Sequence, residues 1–436
     1  MIANRKSQDA ILKKLHIARL NTMQEEAQLA IPSVKNTMLL SPTGTGKTIA
    51  YLLPTIGLLD ASCKNVQLLI LVPSRELAIQ IEQVIRNMGA GYKVNVVYGG
   101  RPFSKDKLDL KSAPAILVGT PGRIADHLRR KTFSVENIVT LVLDEFDKSL
   151  EIGFESEMSD IFNHLPNIDR RVLTSATKNI KIPSFVGLKD EVVIDHLNQE
   201  QSKLLIKKVI SEDKNKLQAL LNLVHHIGKK PGIIFCNFKN SIEYVSDYLT
   251  NNNIQHGCFH GGMEQIERER VLIKFRNGTY QLIIATDLAS RGLDIPELQY
   301  IIHYQLPLRL EEFTHRNGRT ARMNNTGTAF VLQWKNEYLP EFIKTPLIQK
   351  LSKSFQDLSS PWVTLFISGG RKDKISKGDI AGLFFKQGGL QPEELGTIEL
   401  KTDCAFVGVK AAAVEQLLSK VNNQKLKDKK VRISQI

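Results

Sequence analysis

Short apolar runs alternate with helix-period segments over most of this chain, which is the rhythm of a parallel sheet covered by helices. Between Asn36 and about Ile194 the strand candidates are residues 37–40, 68–72, 94–97, 115–118, 139–143 and 172–174. Among the segments between them, Leu77, Ile81, Val84, Ile85 and Met88 recur at helical spacing. After the polar stretch 198–203 a second series follows, at 232–236, 281–285, 300–304 and 328–332. Two α/β domains joined by a short linker are therefore expected.

The rhythm changes after the polar tract 351–361. Strand-like runs at 363–367, 397–400, 405–409 and 430–433 and helical patterns at 379–386 and 412–421 give the order β-α-β-β-α-β, a small third domain of ferredoxin-like wiring. The length, 436 residues with 42% hydrophobic content, suffices for three packed cores. No run approaches the roughly 20 apolar residues of a membrane span, and residues 1–10 are polar where a secretory signal needs an apolar core. A cytoplasmic protein is expected. Cys63, Cys236, Cys258 and Cys404 lie far apart and without histidine at metal-ligand spacing, so buried free thiols are expected instead of disulfides or a zinc site.

Residues 41–48, SPTGTGKT, stand between an apolar run and a helical pattern. Such a tract exposes backbone N–H groups, one lysine ammonium and one hydroxyl to the phosphates and magnesium of a nucleotide. Ser41 occupies the place where the strict pattern has Gly, and a small residue satisfies that turn; Thr43, Gly44, Thr45, Gly46, Lys47 and Thr48 complete the cradle. The apolar run 139–143 ends in Asp144-Glu145, at the strand end where an α/β sheet places its ligand. Asp144 can hold magnesium with Thr48, and Glu145 can orient the attacking water. A net charge of +14 favours a polyanionic partner, since each neutralised phosphate releases counterions.

Asp144-Glu145-Phe146-Asp147 resembles the motif of the DEAD-box RNA helicases, and the other family motifs follow in the family's order. The resemblance implies two RecA-like parallel-sheet domains in tandem, 1–197 and 204–345, and an RNA-stimulated ATPase that remodels RNA with ATP and Mg2+. It assigns RNA-backbone contacts to Arg75, Gly99, Gly100, Thr120, Pro121, Gly122 and Arg123 in the first domain and to Gln265, Arg268 and Thr286 in the second. It places Asp294 at the nucleotide and makes Arg319 and Arg322 arginine fingers that reach the γ-phosphate when the two domains close. Asp147, Ser175, Thr177 and His315 are implied to couple hydrolysis to strand separation. Gln24 matches the adenine-reading glutamine, its amide suited to a donor and an acceptor on the base edge.

This chain departs from the family pattern in places. Ser7, Ile17 and Leu20 replace an aromatic, an aromatic and a proline around Gln24; Phe146 replaces a small Ala, so a complementary small neighbour is expected; Asn317 and Ala321 replace Ile and Gly. Phe146 and the altered surroundings of Gln24 also admit an alternative, an ATP-gated RNA clamp with little turnover.

The tract 363–372 with Lys377-Gly378-Asp379-Ile380 resembles the C-terminal domain of the DbpA-type subfamily, implying an RRM-like fold at 362–436 and structured large-subunit ribosomal RNA, encountered in ribosome assembly, as partner. That segment holds 13 Lys and Arg against 8 Asp and Glu. Strand alternation sets Phe366 opposite Val363, Leu365 and Ile367, so that Phe366 and Phe406 either stack bases or pack under another part of the chain. Arg371, Lys372, Lys374 and Lys377, with Lys425, Lys427, Lys429, Lys430 and Arg432, are candidates for an RNA surface built on charge.

Overall fold

The computed structural model describes residues 7–42, 44–178, 181–197, 204–287, 298–320, 326–344, 346–351 and 356–436. These fall into two compact units, one holding the described residues up to 197 and the other those from 204 onward.

The first unit is built on seven strands: β1 Asn36–Leu40, β2 Leu68–Leu71, β3 Val94–Val97, β4 Ile116–Gly119, β5 Thr140–Leu143, β6 Arg170–Ser175 and β7 Val192–Asp195. All pair in parallel, in the order β3-β4-β2-β5-β6-β1-β7. The central strands are buried along their whole length, as expected for continuous apolar runs with helices on both faces. Two apolar clusters flank the sheet, one containing Leu39, Tyr51 and Ile70 and the other Leu40, Leu143 and Phe146. Because β6 lies between β1 and β5, the chain segments that leave these three strands emerge side by side at one sheet edge.

The second unit carries a matching sheet of β8 Leu204–Ser211, β9 Gly232–Phe235, β10 Gly257–Phe259, β11 Leu282–Ala285, β12 Tyr300–His303, β13 Gly327–Trp334 and β14 Leu347–Ile348, parallel in the order β10-β11-β9-β12-β13-β8-β14. Four strands seen here, β7, β8, β10 and β14, are missing from the sequence reading. β7 and β14 are edge strands exposed along most of their length, β8 is half-exposed and carries Lys207 and Lys208, and β10 is three residues long. None presents the buried apolar run by which the central strands are recognised.

The same unit ends in a smaller antiparallel sheet, β15 Trp362–Ile367, β16 Leu395–Leu400, β17 Ala405–Lys410 and β18 Ile433–Gln435, in the order β16-β17-β15-β18. Helices Lys377–Lys386 and Val414–Val421 cover one face, completing the expected β-α-β-β-α-β wiring. The last strand begins at Ile433 instead of Lys430, because Lys425–Leu426 and Lys429–Lys430 pair as a hairpin just before it.

The other face of this sheet packs on the preceding domain. Trp362, Thr364 and Phe366 alternate with the core-facing Leu365 and Ile367, and Phe406 and Gly408 lie beside them on β17. The end of helix Gln265–Arg276 and the residues after it meet this face. Asn277 Nδ2 donates to Thr364 Oγ1 at 3.2 Å, Thr279 Oγ1 lies 2.7 Å from the same oxygen, and Arg276 pairs with Glu399 at 2.5 Å. Ser360 Oγ donates to Gly278 O at 2.6 Å, and a Cβ on Gly278 would meet the Trp362 ring at 3.3 Å. Thr364 is 0% and Phe406 5% exposed, and Phe406 lies edge-on to Phe366 at 5.7 Å on this face.

Candidate functional site

The phosphate-loop candidate follows β1 and leads into helix Lys47–Gly57. Gly44 and Gly46 both hold φ of 87°, a region costly for side-chain-bearing residues, so the two glycines shape the turn. Ser41 Oγ donates to Thr45 Oγ1 at 2.8 Å, and the latter donates to Pro42 O at 2.9 Å, so Ser41 serves the turn in place of a glycine. Lys47 Nζ donates to Ser41 O at 2.5 Å and Pro42 O at 2.9 Å. Thr43 lies outside the described residues.

Gln24 sits against this loop. Its Oε1 accepts from Asn21 N at 3.0 Å in a capping box, its Nε2 donates to Gly46 O at 3.3 Å, and Asn21 Nδ2 donates to Thr45 O at 3.0 Å. Each end of the Gln24 amide keeps one further hydrogen-bonding valence. Ser7, where the family pattern has an aromatic, caps helix Gln8–Lys14 through an oxygen that accepts from Ala10 N at 3.3 Å.

Asp144 and Glu145 follow β5. Pairing of Leu143 with Leu173 sets Thr174 of β6 beside them. Thr174 Oγ1 donates to Asp144 Oδ1 at 2.5 Å and accepts from Glu145 N at 3.0 Å, while Tyr51 OH donates to Asp144 Oδ2 at 2.9 Å. Burial pushes the Asp144 carboxyl above its ordinary value, and the hydrogen bonds from Thr174 and Tyr51 and the Lys47 charge oppose that rise. Burial and the Asp144 charge drive the Tyr51 phenol well upward, against a hydrogen bond from Thr48. The Tyr51 hydroxyl therefore braces Asp144, one of the two candidate magnesium ligands. Asp147 Oδ2 accepts from Ala176 N and Thr177 Oγ1, each at 3.2 Å, and Ser175 Oγ donates to Thr177 O at 2.8 Å.

Phe146 is 1% exposed and belongs to the cluster containing Leu40, Ala125, Leu143, Met158 and Leu173.

Arg75 begins helix Arg75–Met88 and lies over the Gly99-Gly100 turn, where a Cβ on Gly100 would approach its Nη1 to 2.5 Å. Thr120, Pro121 and Gly122 open helix Pro121–Arg129, and a Cβ on Gly122 would meet nothing within 4 Å. The Arg123 guanidinium is held from within: its Nε donates to Asp106 Oδ2 and its Nη2 to Arg101 O, both at 2.7 Å. Asp106, 0% exposed, also pairs with Arg101 at 3.2 Å and lies 3.4 Å from His127. One buried carboxylate thus ties together two loops assigned to RNA.

In the second unit Gln265 opens its helix, Arg268 lies 4.7 Å from the centre of the Phe259 ring, and Thr286 follows β11. His315 and Arg319 are buried near the end of helix Leu310–Asn317 and just beyond it. Arg316 between them is a brace, donating to Asp287 at 2.7 and 2.6 Å, to Gln305 O and to Asn237. Asn317 also finds its reason here: its Oδ1 lies 3.1 Å from Nε2 of the fully buried His303. Asp294, Arg322 and Ala321 lie outside the described residues.

In the third domain Arg371, Lys372, Lys374 and Lys377 are exposed on one turn. Lys429 pairs with Asp373 at 2.9 Å and Lys427 with Asp379 at 3.0 Å, so the basic 425–432 segment lies against that turn as one surface.

Tyr51, Thr174 and Asp106 are functional candidates that sequence reading did not single out. Tyr51 and Thr174 are polar groups inside otherwise buried segments, which is the signal that could have revealed them, whereas Asp106 sits in a mostly exposed helix that gives no such signal.

Comparison with known proteins places these features. The DEAD/DEAH box helicase family matches residues 21–184, the helicase conserved C-terminal domain 215–324 and the DbpA RNA binding domain 364–435. The chain is 31% identical to the ATP-dependent RNA helicase DbpA of Escherichia coli over 437 residues, covering 97% of this chain and 95% of that one. It belongs to the DEAD-box RNA helicases of DbpA type. The DbpA helicase of Bacillus subtilis is 29% identical over 93% of both chains. Among solved structures, Dbp5 of S. cerevisiae bound to RNA and ADP BeF3 superposes with a TM-score of 0.67 at 26% identity, covering 75% of this chain and 88% of that one. The two parallel-sheet domains are thus RecA-like, and membership in the family makes the chain an ATP-dependent RNA helicase with RNA-dependent ATPase activity. Among the described residues no helix is long and apolar enough to cross a membrane.

Proposed function

We propose that this helicase remodels structured RNA of the large ribosomal subunit during ribosome assembly, in the cytoplasm, with domains at 1–197, 204–345 and 362–436. The observation that carries this reading is the single basic surface formed by Arg371, Lys372, Lys374 and Lys377 with the 425–432 segment, on a domain whose sheet face is already covered. Loops that grip phosphates by charge suit a folded RNA, whose shape fixes where the phosphates lie.

In this reading residues 41–48 cradle the phosphates, Gln24 reads adenine with its spare valences, and Asp294 contacts the nucleotide. Glu145 orients the attacking water, and Lys47, Arg319 and Arg322 offset charge that develops on the transferred group. Magnesium fits the oxygen donors Thr48 and Asp144, the latter held by the Tyr51 hydroxyl. Among the described residues no cluster of three or more His, Cys, Asp or Glu could hold a metal, so phosphates and water would supply its remaining ligands. When bound, the ion supplies charge neutralisation at the phosphates.

Arg75, Gly99, Gly100, Thr120, Pro121, Gly122, Arg123, Gln265, Arg268 and Thr286 hold the RNA backbone, Arg123 mainly by fixing its loop. Asp147, Ser175, Thr177 and His315 transmit hydrolysis to that grip. The burial of Phe146 beside an engaged Asp144 and Glu145 supports turnover over an ATP-gated clamp. The test compares ATPase stimulation of the full chain by large-subunit ribosomal RNA fragments and by unstructured RNA of equal length. Half-maximal stimulation at a lower concentration of the ribosomal fragments is expected; equal stimulation would remove the ribosomal assignment.

A further inference from the structure

Glu145 holds φ 49° and ψ 51°, the left-handed region that a residue with a long side chain occupies only when its surroundings impose it. Its backbone N–H points at two oxygens, Asp144 Oδ1 at 3.1 Å and Thr174 Oγ1 at 3.0 Å. The Thr174 hydroxyl spends its one proton on Asp144 Oδ1. A single oxygen thus accepts from one proposed catalytic residue and donates to the other. Thr174 is fully buried in β6, anchored in register with β5, so that oxygen cannot follow a wandering loop.

We propose that Thr174 is a positioning residue of the ATPase site, fixing the Asp144 carboxylate for magnesium and the strained Glu145 backbone for the water with one hydroxyl. Tyr51 shares the first task only: its hydroxyl donates to the opposite carboxylate oxygen. With both oxygens engaged, the carboxylate cannot rotate about its bond without losing three hydrogen bonds. Groups that orient a metal ligand in this way commonly affect affinity or activity by about 10–100-fold.

The inference rests on the reading of Asp144 and Glu145 as the catalytic carboxylates. Its test uses full-length Thr174→Val, which keeps the branched shape and removes the hydroxyl, with Thr174→Ser and Tyr51→Phe. Two quantities are read: the Mg2+ concentration that half-saturates tight binding of a fluorescent ADP analogue, and ATPase kcat at saturating RNA, ATP and Mg2+. Thr174→Val is expected to raise the Mg2+ requirement about tenfold and to lower kcat about tenfold or more, with the RNA half-saturation unchanged. Thr174→Ser should return both to within about twofold of the parent, whereas Tyr51→Phe should raise the Mg2+ requirement as Thr174→Val does but lower kcat less than Thr174→Val does. Parent-like values for Thr174→Val, or equal impairment in Thr174→Ser, would overturn the proposal. If Thr174→Val does not fold, the Ser and Phe pair decides: a tenfold loss of kcat in Tyr51→Phe removes the division of tasks. Glu145→Gln separates the layers, because parent-like hydrolysis in that variant refutes the catalytic reading itself.

Discussion

Replacing Phe146 by Ala restores the residue of the family motif, and the two possible histories of this position predict opposite signs. If the surroundings had stayed shaped for Ala, the ring would be overpacked and its removal would relieve about 1–3 kcal/mol. The structure points the other way. Phe146 is 1% exposed within a cluster that includes Leu40, Leu143, Met158 and Leu173, so truncation deletes a fully buried ring. Such deletions cost about 3–5 kcal/mol, because the paired strands β5 and β6 in the same cluster limit collapse into the space. For a unit of this size each kcal/mol moves the midpoint by about 2–4 °C, so the first unit should melt lower by about 6–20 °C. The assay is thermal unfolding of the full chain, following the first unit's transition, with ATPase measured well below the lowered midpoint. A Phe146→Ala protein that melts at or above the parent would show that the pocket was never adapted to the ring.

Asp106→Ala leaves Arg101, Arg123 and His127 without their shared carboxylate. Unfolding of the first unit should become easier by about 3 kcal/mol, since both arginines keep some access to water, and RNA affinity should fall; a denaturant titration with RNA binding checks both. Gly100→Ala must take φ of 83° and push Arg75 aside, so stability should drop by about 1 kcal/mol and RNA binding should weaken, read by the same two measurements. His303, buried with its charged form disfavoured by desolvation and by Arg316, has its pKa pulled down to about 3. Its contribution is therefore full above about pH 6.5, the unfolded value, and is lost toward pH 3 at up to about 1.4 kcal/mol per pH unit. A His303→Gln variant should flatten the acid side of the second unit's denaturation profile; an unchanged slope would exclude His303 as its source.

The central strands were readable because burial on both faces writes them as unbroken apolar runs, and the phosphate loop because glycines must stand where φ is positive. Edge strands such as β7 and β14 carry no such mark, since solvent tolerates any residue on their outer face. Asp144, Glu145 and Asp147 declare themselves by their chemistry at a strand end. Thr174 does not, because its meaning arises only when β6 is laid beside β5. Asn317 looks arbitrary in the sequence for the same reason: its partner His303 is on a neighbouring strand, 14 residues away. The cover over Phe406 was open in principle, but strand alternation names a face without naming what lies on it.

The seat beneath the third domain bears on how such domains can be exchanged. Thr364 is covered by Asn277 and Thr279, and Trp362 lies against Gly278, all three of which belong to the helicase sheet's domain and not to the appended one. Residues 362–436 moved alone onto another helicase would carry an uncovered tryptophan, a threonine without its partners across the seat and a Glu399 that has lost Arg276. The transferable unit is the domain together with the 276–279 turn that receives it, and a graft lacking that turn would keep its RNA contacts while losing the direction in which it presents them.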